Sequence, residues 1–267
     1  MPANTSRNSA FWILAVVVII VALVGWRTNA APANSCNVAY IKLQGELFTY
    51  LPGDASSTDA FDQTASDDVT QSIRDASADP SIKAVILAID SPGGDPVAGE
   101  EIESTLRDVK KPTVALIRSE GDSAAYMSAS GADTIFASDF SDVGDIGITE
   151  SYTDQAKQDV AEGITFNQLS IGKYKDMFDT DKPLTPDEKA LVMSNLQVDY
   201  QHFIQTVATN RHMSVAKVTA LADGSSLGGE AAVQAGLIDK IGNVDDVRTY
   251  LTQQLNTQAV ICSIDTD

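Results

Sequence analysis

Two short apolar runs constrain this chain more than any other feature. Ala84 to Ile89 reads AVILAI, and Pro112 to Ile117 reads PTVALI. Neither alternates with polar residues, so both faces of each strand need cover, as in the interior of a parallel sheet. The stretch between them, Pro96 to Val109, reads as a helix, with Glu100, Glu101 and Arg107 available for its polar face. The order strand, helix, strand predicts an α/β fold with a mostly parallel sheet.

The same rhythm extends in both directions. Asn37 to Leu47 alternates apolar and polar residues, as a strand does, and Val69 to Ala78 reads as a helix stopped by Asp79-Pro80. Leu51 to Asp68, rich in Ser, Asp and Thr, reads as a solvated loop. Downstream, Thr134 to Ala137 and Thr165 to Ser170 read as strands, Val143 to Thr149 as a Gly-rich extended piece, and Thr153 to Glu162 as a helix ended by Gly163. Thr185-Pro186-Asp187-Glu188 opens a long helix reaching about Arg211, with Met193, Leu196, Tyr200, Phe203, Ile204 and Val207 on one stripe. Helices near Ser214 to Ala222, Gly229 to Ala235 and Val244 to Leu255 follow, then a strand at Ala259 to Ile264. No linker interrupts residues 37–267, which are expected to form one domain.

The N-terminus is different. Phe11 to Trp26 carries no charge. At 1.5 Å per residue it spans about 24 Å, somewhat short of the roughly 30 Å hydrocarbon core. Trp12 and Trp26 suit the two interfaces, and Ser9 and Ala10 can lengthen the span. Arg7 and the amino terminus precede it and Arg27 alone follows, which favours a cytoplasmic 1–10, a transmembrane anchor at 11–26, a linker at 27–36 and an extracytoplasmic domain. The alternative is a signal peptide cleaved after Thr28-Asn29-Ala30.

The net charge of −19 repels phosphate backbones and argues against nucleic acid as a partner. Cys36 and Cys262 are the two cysteines, both in the segments expected outside the cell. They are candidates for a disulfide, with two separate buried thiols as the other reading. No C-x-x-C pattern indicates a metal site, and the acids Asp139, Asp142, Asp145 and Glu150 do not follow the two-residue ligand spacing of a calcium loop.

After the PTVALI strand comes Gly121-Asp122-Ser123-Ala124-Ala125, which opens a run of helix formers closed by Gly131. Ser123 has two readings: a cap, or a nucleophile beside the free N–H groups of a helix start. The stretch resembles a nucleophile elbow with its last glycine replaced. A histidine base is poorly placed, because His202 lies off the apolar stripe of the long helix and His212 lies at its end. A neutral lysine can serve instead, and Lys173 and Lys175 flank Tyr174. Gly93-Gly94, after the AVILAI strand, can aim backbone N–H groups at an oxyanion or can simply form a turn.

Five of these pieces, in order, resemble the Ser–Lys signal peptide peptidases of the protease IV type, relatives of ClpP and the crotonases. They are Asp90-Ser91-Pro92-Gly93-Gly94, Ser123-Ala124-Ala125-Tyr126, Gly144-Asp145-Ile146-Gly147, Tyr174-Lys175, and the stretch from Ala222-Asp223-Gly224 to Gly236-Leu237-Ile238-Asp239. The resemblance runs from about Asn37 to Leu251. It implies a repeated β-β-α superhelix, with Ser123 as nucleophile, Lys175 as general base and Gly93, with Gly94, as oxyanion donors. No cofactor and no metal is expected. The substrates would be hydrophobic peptides left in the membrane, and the chains would form a homo-oligomeric ring in which neighbouring subunits share each site. Asp145 departs from the family, which usually has there a serine that orients the lysine. That departure keeps open a non-catalytic scaffold of the same fold. A crotonase-type acyl-CoA enzyme fits an anchored exterior domain poorly.

Overall fold

Buried on both faces, the AVILAI run forms β4 (Ala84–Ser91), near the middle of the sheet. Its neighbours are β1 (Val38–Gln44) and β5 (Thr113–Asp122), both parallel to it. The computed structural model describes residues 36–51 and 63–264. The expected anchor at Phe11 to Trp26 lies outside them, and among the described residues no helix is long and apolar enough to cross a membrane.

The path of the sheet runs β10, β1, β4, β5, β6, β9, where β6 is Thr134–Ala137, β9 is Lys240–Ile241 and β10 is Ile261–Ile264. All these pairings are parallel. A short spur leaves the end of β5: β7 (Asp142–Gly144) pairs with it in parallel, and β8 (Ser226–Gly228) pairs with β7 antiparallel. A separate pair joins β2 (Glu46–Phe48) and β3 (Gln63–Ala65).

Strand periodicity divides the apolar residues between two cores. Val85, Leu87 and Ile89 of β4, with Ala115 and Ile117 of β5, face the larger one. There they meet α1 (Ser66–Ala78), α2 (Pro96–Asp108), α3 (Ser123–Ser130) and the second half of α5 (Pro186–Asn210). Ala84, Ile86, Val114 and Leu116 face the smaller core, under Val247 and Leu251 of α8 (Val244–Leu255). Two-sided cover is why both runs lack polar alternation. The remaining helices are short: α4 (Ala156–Glu162), α6 (Val215–Thr219) and α7 (Gly229–Ala235).

The structure corrects the sequence reading in four places. The described end of Leu51 to Asp68, read as a solvated loop, forms β3 and the first turn of α1, with Thr64, Ala65 and Ser66 buried. Thr165 to Ser170 forms no strand; it belongs to an arm, residues 150–183, that lies largely in solvent. Leu169 is 98% and Ile171 100% exposed, so nothing among the described residues covers them. The extended piece at Val143 to Thr149 reduces to β7 and a loop. Finally, the stripe on α5 is split. Phe203, Ile204 and Val207 are buried, whereas Met193 is 64% exposed and Leu196 and Tyr200 are half-buried.

Cys36 and Cys262 are joined as a disulfide across β1 and β10, with Cα atoms 5.8 Å apart. It closes a loop of 226 residues and ties the edge strand to the start of the domain. The chain-entropy account gives such a closure about 5 kcal/mol as an upper bound. Alkylation under denaturing, non-reducing conditions is expected to modify neither cysteine, and Cys262→Ser to melt at lower temperature. Two reactive thiols in the wild type would show that the bond does not form.

Candidate active site

Strand β5 ends at Asp122, and α3 starts at the next residue. Ser123 makes that junction with φ of 51°, in the left-handed region that non-glycine residues seldom enter. Its surroundings hold it there. The rest of α3 is buried, so Ser123 alone in this helix is partly open to solvent. Tyr126, on the next turn, donates from its hydroxyl to the Leu237 carbonyl at 2.8 Å, and Ser128 donates to the Ala124 carbonyl at 3.0 Å.

The turn after β4 packs directly against this serine. A Cβ on Gly93 (φ 102°) would lie 2.8 Å from the Ser123 Cβ and 2.9 Å from the Asp122 carbonyl oxygen. One on Gly94 (φ 143°) would lie 2.3 Å from the Leu47 carbonyl oxygen. No side chain fits at either position. The two glycines differ in their N–H groups. Gly93 donates to Ser91 Oγ at 3.1 Å, and Ser91 Oγ donates in turn to the Gly45 carbonyl at 2.6 Å. The Gly94 N–H has no acceptor among the described residues. Gly94 therefore offers the free donor, and Gly93 supplies the room. Ala124, in the first turn of α3, offers a second N–H without an intrahelical partner.

Ser123 and Gly94 line one cleft of about 520 Å³. Its apolar wall comes from Pro96, Ile148 and the exposed half of α5, through Met193, Leu196 and Tyr200. The Tyr200 hydroxyl donates to the Ala222 carbonyl at 2.5 Å and ties that wall to the loop carrying Asp223 and Gly224. Asp145 is also in the cleft, with φ of 44°, and burial raises its carboxyl pKa. Behind Ser123, Asp122 accepts from Ser226 Oγ at 3.0 Å. Burial first, then the charges of Asp145, Asp142 and Glu120, push the Asp122 pKa up to about 6, partly offset by the Ser226 bond.

Among the described residues no lysine lines this cleft. Lys175 is exposed in the turn at 172–178 of the arm and is not among the cleft-lining residues. Lys173 is held protonated above the usual lysine range, chiefly by Asp187 at 2.7 Å and then by Tyr174. Neither histidine lines the cleft, and His202 lies 3.0 Å from Glu100 on the outer surface. The sequence reading missed Asp122, Ser226 and the α5 wall. Asp122 and Ser226 are 104 positions apart, and no local pattern links them.

Peptidase family S49 matches residues 105–258 of this chain. That match covers more than half of the sequence and includes Ser123 and Lys175. The chain belongs to peptidase family S49. A protease-named protein of Methanocaldococcus jannaschii is 33% identical over 184 residues, covering 68% of this chain and 59% of that one. A protein of Enterococcus faecium named signal peptide peptidase SppA is 29% identical over 179 residues, covering 66% of this chain and 52% of its own length. The chain thus spans between half and three fifths of these relatives. Among solved structures, a mutant of a membrane-bound stomatin-specific protease, 1510-N, superposes with TM-score 0.53 at 14% identity, covering 86% of this S49 chain and 98% of the other. That likeness shows a shared fold.

The Asp122 environment predicts a pH effect. Folding raises this pKa from 3.8 to about 6, so between those values the folded chain binds more protons than the unfolded one. Stability therefore falls as pH rises through that window. Asp122→Asn keeps an acceptor for Ser226 but carries no charge. It is expected to melt with the wild type at pH 4 and above it at pH 7.5, by differential scanning fluorimetry. A lower melting temperature at pH 7.5 would contradict the burial argument.

Proposed function

We propose that this S49 member is a membrane-anchored serine endopeptidase with a Ser–Lys dyad, cutting hydrophobic peptides at the outer face of the membrane. One observation carries the reading: Ser123 is the single residue of a buried helix that opens into a cleft, beside two N–H groups free to receive an oxyanion. Neutral Lys175 takes the proton from Ser123 Oγ as the oxygen attacks the peptide carbonyl. Gly94 and Ala124 donate to the tetrahedral oxyanion. The leaving amine takes a proton from Lys175, and water then frees the acyl group from Ser123, with Lys175 again as base.

The lysine comes from a neighbouring chain in this proposal. Lys175 is on an arm whose apolar side chains, Val160, Phe166, Leu169 and Ile171, are exposed in the isolated chain and suit burial against a second copy in a ring. The uncharged Phe11 to Trp26 segment supplies the anchor, and the Cys36–Cys262 bond suits an oxidising exterior. The α/β sheet is then the framework of a ClpP/crotonase-like β-β-α superhelix. The apolar cleft wall matches hydrophobic substrates, and the relative named a signal peptide peptidase points to that substrate class.

A second reading, a non-catalytic scaffold that binds peptides or membrane proteins, draws on Asp145. A carboxylate within about 4–6 Å of an ammonium favours the charged form, and a protonated lysine accepts nothing. A serine-directed fluorophosphonate separates the two: labelling at Ser123 supports the enzyme, and inert protein the scaffold.

For the peptidase, Ser123→Ala and Lys175→Ala are each expected to lose at least about a hundredfold in turnover of a synthetic signal peptide, the low end of acid–base catalysis. Lys173→Ala should stay active. Co-assembled Ser123→Ala and Lys175→Ala chains should regain part of the activity, because mixed rings contain intact pairs. Failure to complement, with an active monomer by light scattering, would refute the shared site. If Asp145 faces the incoming lysine, Asp145→Ser shifts the alkaline limb of the pH–rate profile to lower pH and raises activity near neutrality. Coincident profiles would show that Asp145 does not touch the base.

A further inference from the structure

The hydrogen-bond ladder between β1 and β4 continues past the ends of both strands. In a parallel ladder a residue donates to the carbonyl before its partner and accepts from the N–H after it. Gln44 is paired with Asp90, so Gly45 falls opposite Ser91. The Gly45 N–H donates to the Asp90 carbonyl at 3.0 Å, as the ladder requires. The return bond should come from residue 92, but that is Pro92, which has no N–H. The Ser91 hydroxyl makes the bond instead, donating to the Gly45 carbonyl at 2.6 Å. Ser91 is fully buried, where a lost donor is costly.

The ladder resumes with Leu47 opposite Gly94. The Leu47 N–H donates to the Gly93 carbonyl at 2.8 Å, and the Asp95 N–H donates to the Leu47 carbonyl at 2.9 Å. From one pairing to the next, Gln44 to Leu47 advances three residues and Asp90 to Gly94 advances four. The extra residue is a bulge, and a bulge leaves a backbone group outside the ladder. Here that group is the Gly93 N–H, and Ser91 Oγ accepts it at 3.1 Å. One hydroxyl thus supplies the donor that Pro92 lacks and takes up the donor that the bulge releases. Along extended backbone, successive N–H groups point to opposite sides. Asp95 points its own at Leu47, so Gly94 points its N–H the other way, toward β5 and the Ser123 junction at its end.

We infer that Ser91 is a positioning residue of the oxyanion site: its hydroxyl locks the bulge at Pro92–Gly93 so that the Gly94 N–H, and not that of Gly93, is held toward the cleft. This rests on the peptidase reading. Without the hydroxyl, the Gly45 carbonyl and the Gly93 N–H both lose their partner, and the turn is released to twist toward new ones. The oxyanion exists only in the transition state and the tetrahedral intermediate. A misaimed donor therefore slows the chemical step and leaves ground-state binding as it was.

The test is steady-state turnover of a synthetic signal peptide by the full chain in detergent, with melting temperature measured on the same samples. Ser91→Ala should lower kcat at least about tenfold with KM unchanged, a fraction of the roughly 10²–10³-fold cost of removing a donor outright. Ser91→Ala with Pro92→Ala returns an N–H to the vacant rung opposite Gly45. Its melting temperature should rise toward that of the wild type while kcat stays low, because the Gly93 N–H still lacks its acceptor. That variant separates aim from stability, and it carries the test if Ser91→Ala alone does not fold. Wild-type kcat in Ser91→Ala, a loss carried by KM alone, or kcat that recovers together with melting in the double variant would each overturn the inference. Ser123→Ala, run alongside, distinguishes the two levels: undiminished turnover there, or an inert wild type, refutes the peptidase reading and this inference with it.

Discussion

The contact between the glycine turn after β4 and the junction of β5 with α3 governs the rest of the site. Gly93 approaches Ser123 so closely that a single added carbon would meet it at 2.8 Å. That approach holds the serine in a backbone region it would otherwise avoid, and strain of this kind persists only where the surroundings over-determine it. They do so here. β4 and β5 are adjacent strands, α3 is buried around its circumference, and Tyr126 pins it to the carbonyl of Leu237 on the far side. The serine side chain is thereby presented by a buried, closely packed part of the fold.

Acidic groups border the Ser123 cleft. Asp122 lies behind the serine and Asp145 beside it, and burial raises the pKa of both. Burial favours the protonated forms of both acids, and neighbouring carboxylates add to this at Asp122. On the arm the chain manages charge differently, by pairing. Asp187 of α5 takes Lys173, and Lys182, just before that helix, takes Glu188 and Asp176. The first-turn acids Asp187 and Glu188 are also favourably placed against the helix dipole, so the same residues stabilise the start of α5.

Helix α5 has two roles along its length. Its second half fills the larger core through Phe203, Ile204 and Val207, and its first half walls the cleft with Met193, Leu196 and Tyr200. The arm before it leaves Leu169 and Ile171 in water. A short stretch with apolar residues becomes a strand only when some surface is there to receive it, and Thr165 to Ser170 has none among the described residues. β1 is a strand because β4 and β10 flank it.

From sequence alone, the unbroken apolar runs of β4 and β5 required cover on both faces, and that requirement settled a parallel α/β sheet. Helix ends were legible where local chemistry decides them: Thr185-Pro186 with Glu188 opened α5, and Gly163 closed α4. Ser123 and the Gly93-Gly94 pair were legible as motifs, because a tight turn leaves a local signature. What only the tertiary structure decided was which groups meet. It gave the free N–H to Gly94, since Ser91 occupies that of Gly93. It joined Asp122 to Ser226 and Cys36 to Cys262. It also placed Lys175 on an exposed arm, outside the residues that line the Ser123 cleft. These outcomes depend on pairings between residues distant in the chain, and burial and hydrogen-bond partnership at such range are properties of the packed sheet, absent from any local window of residues.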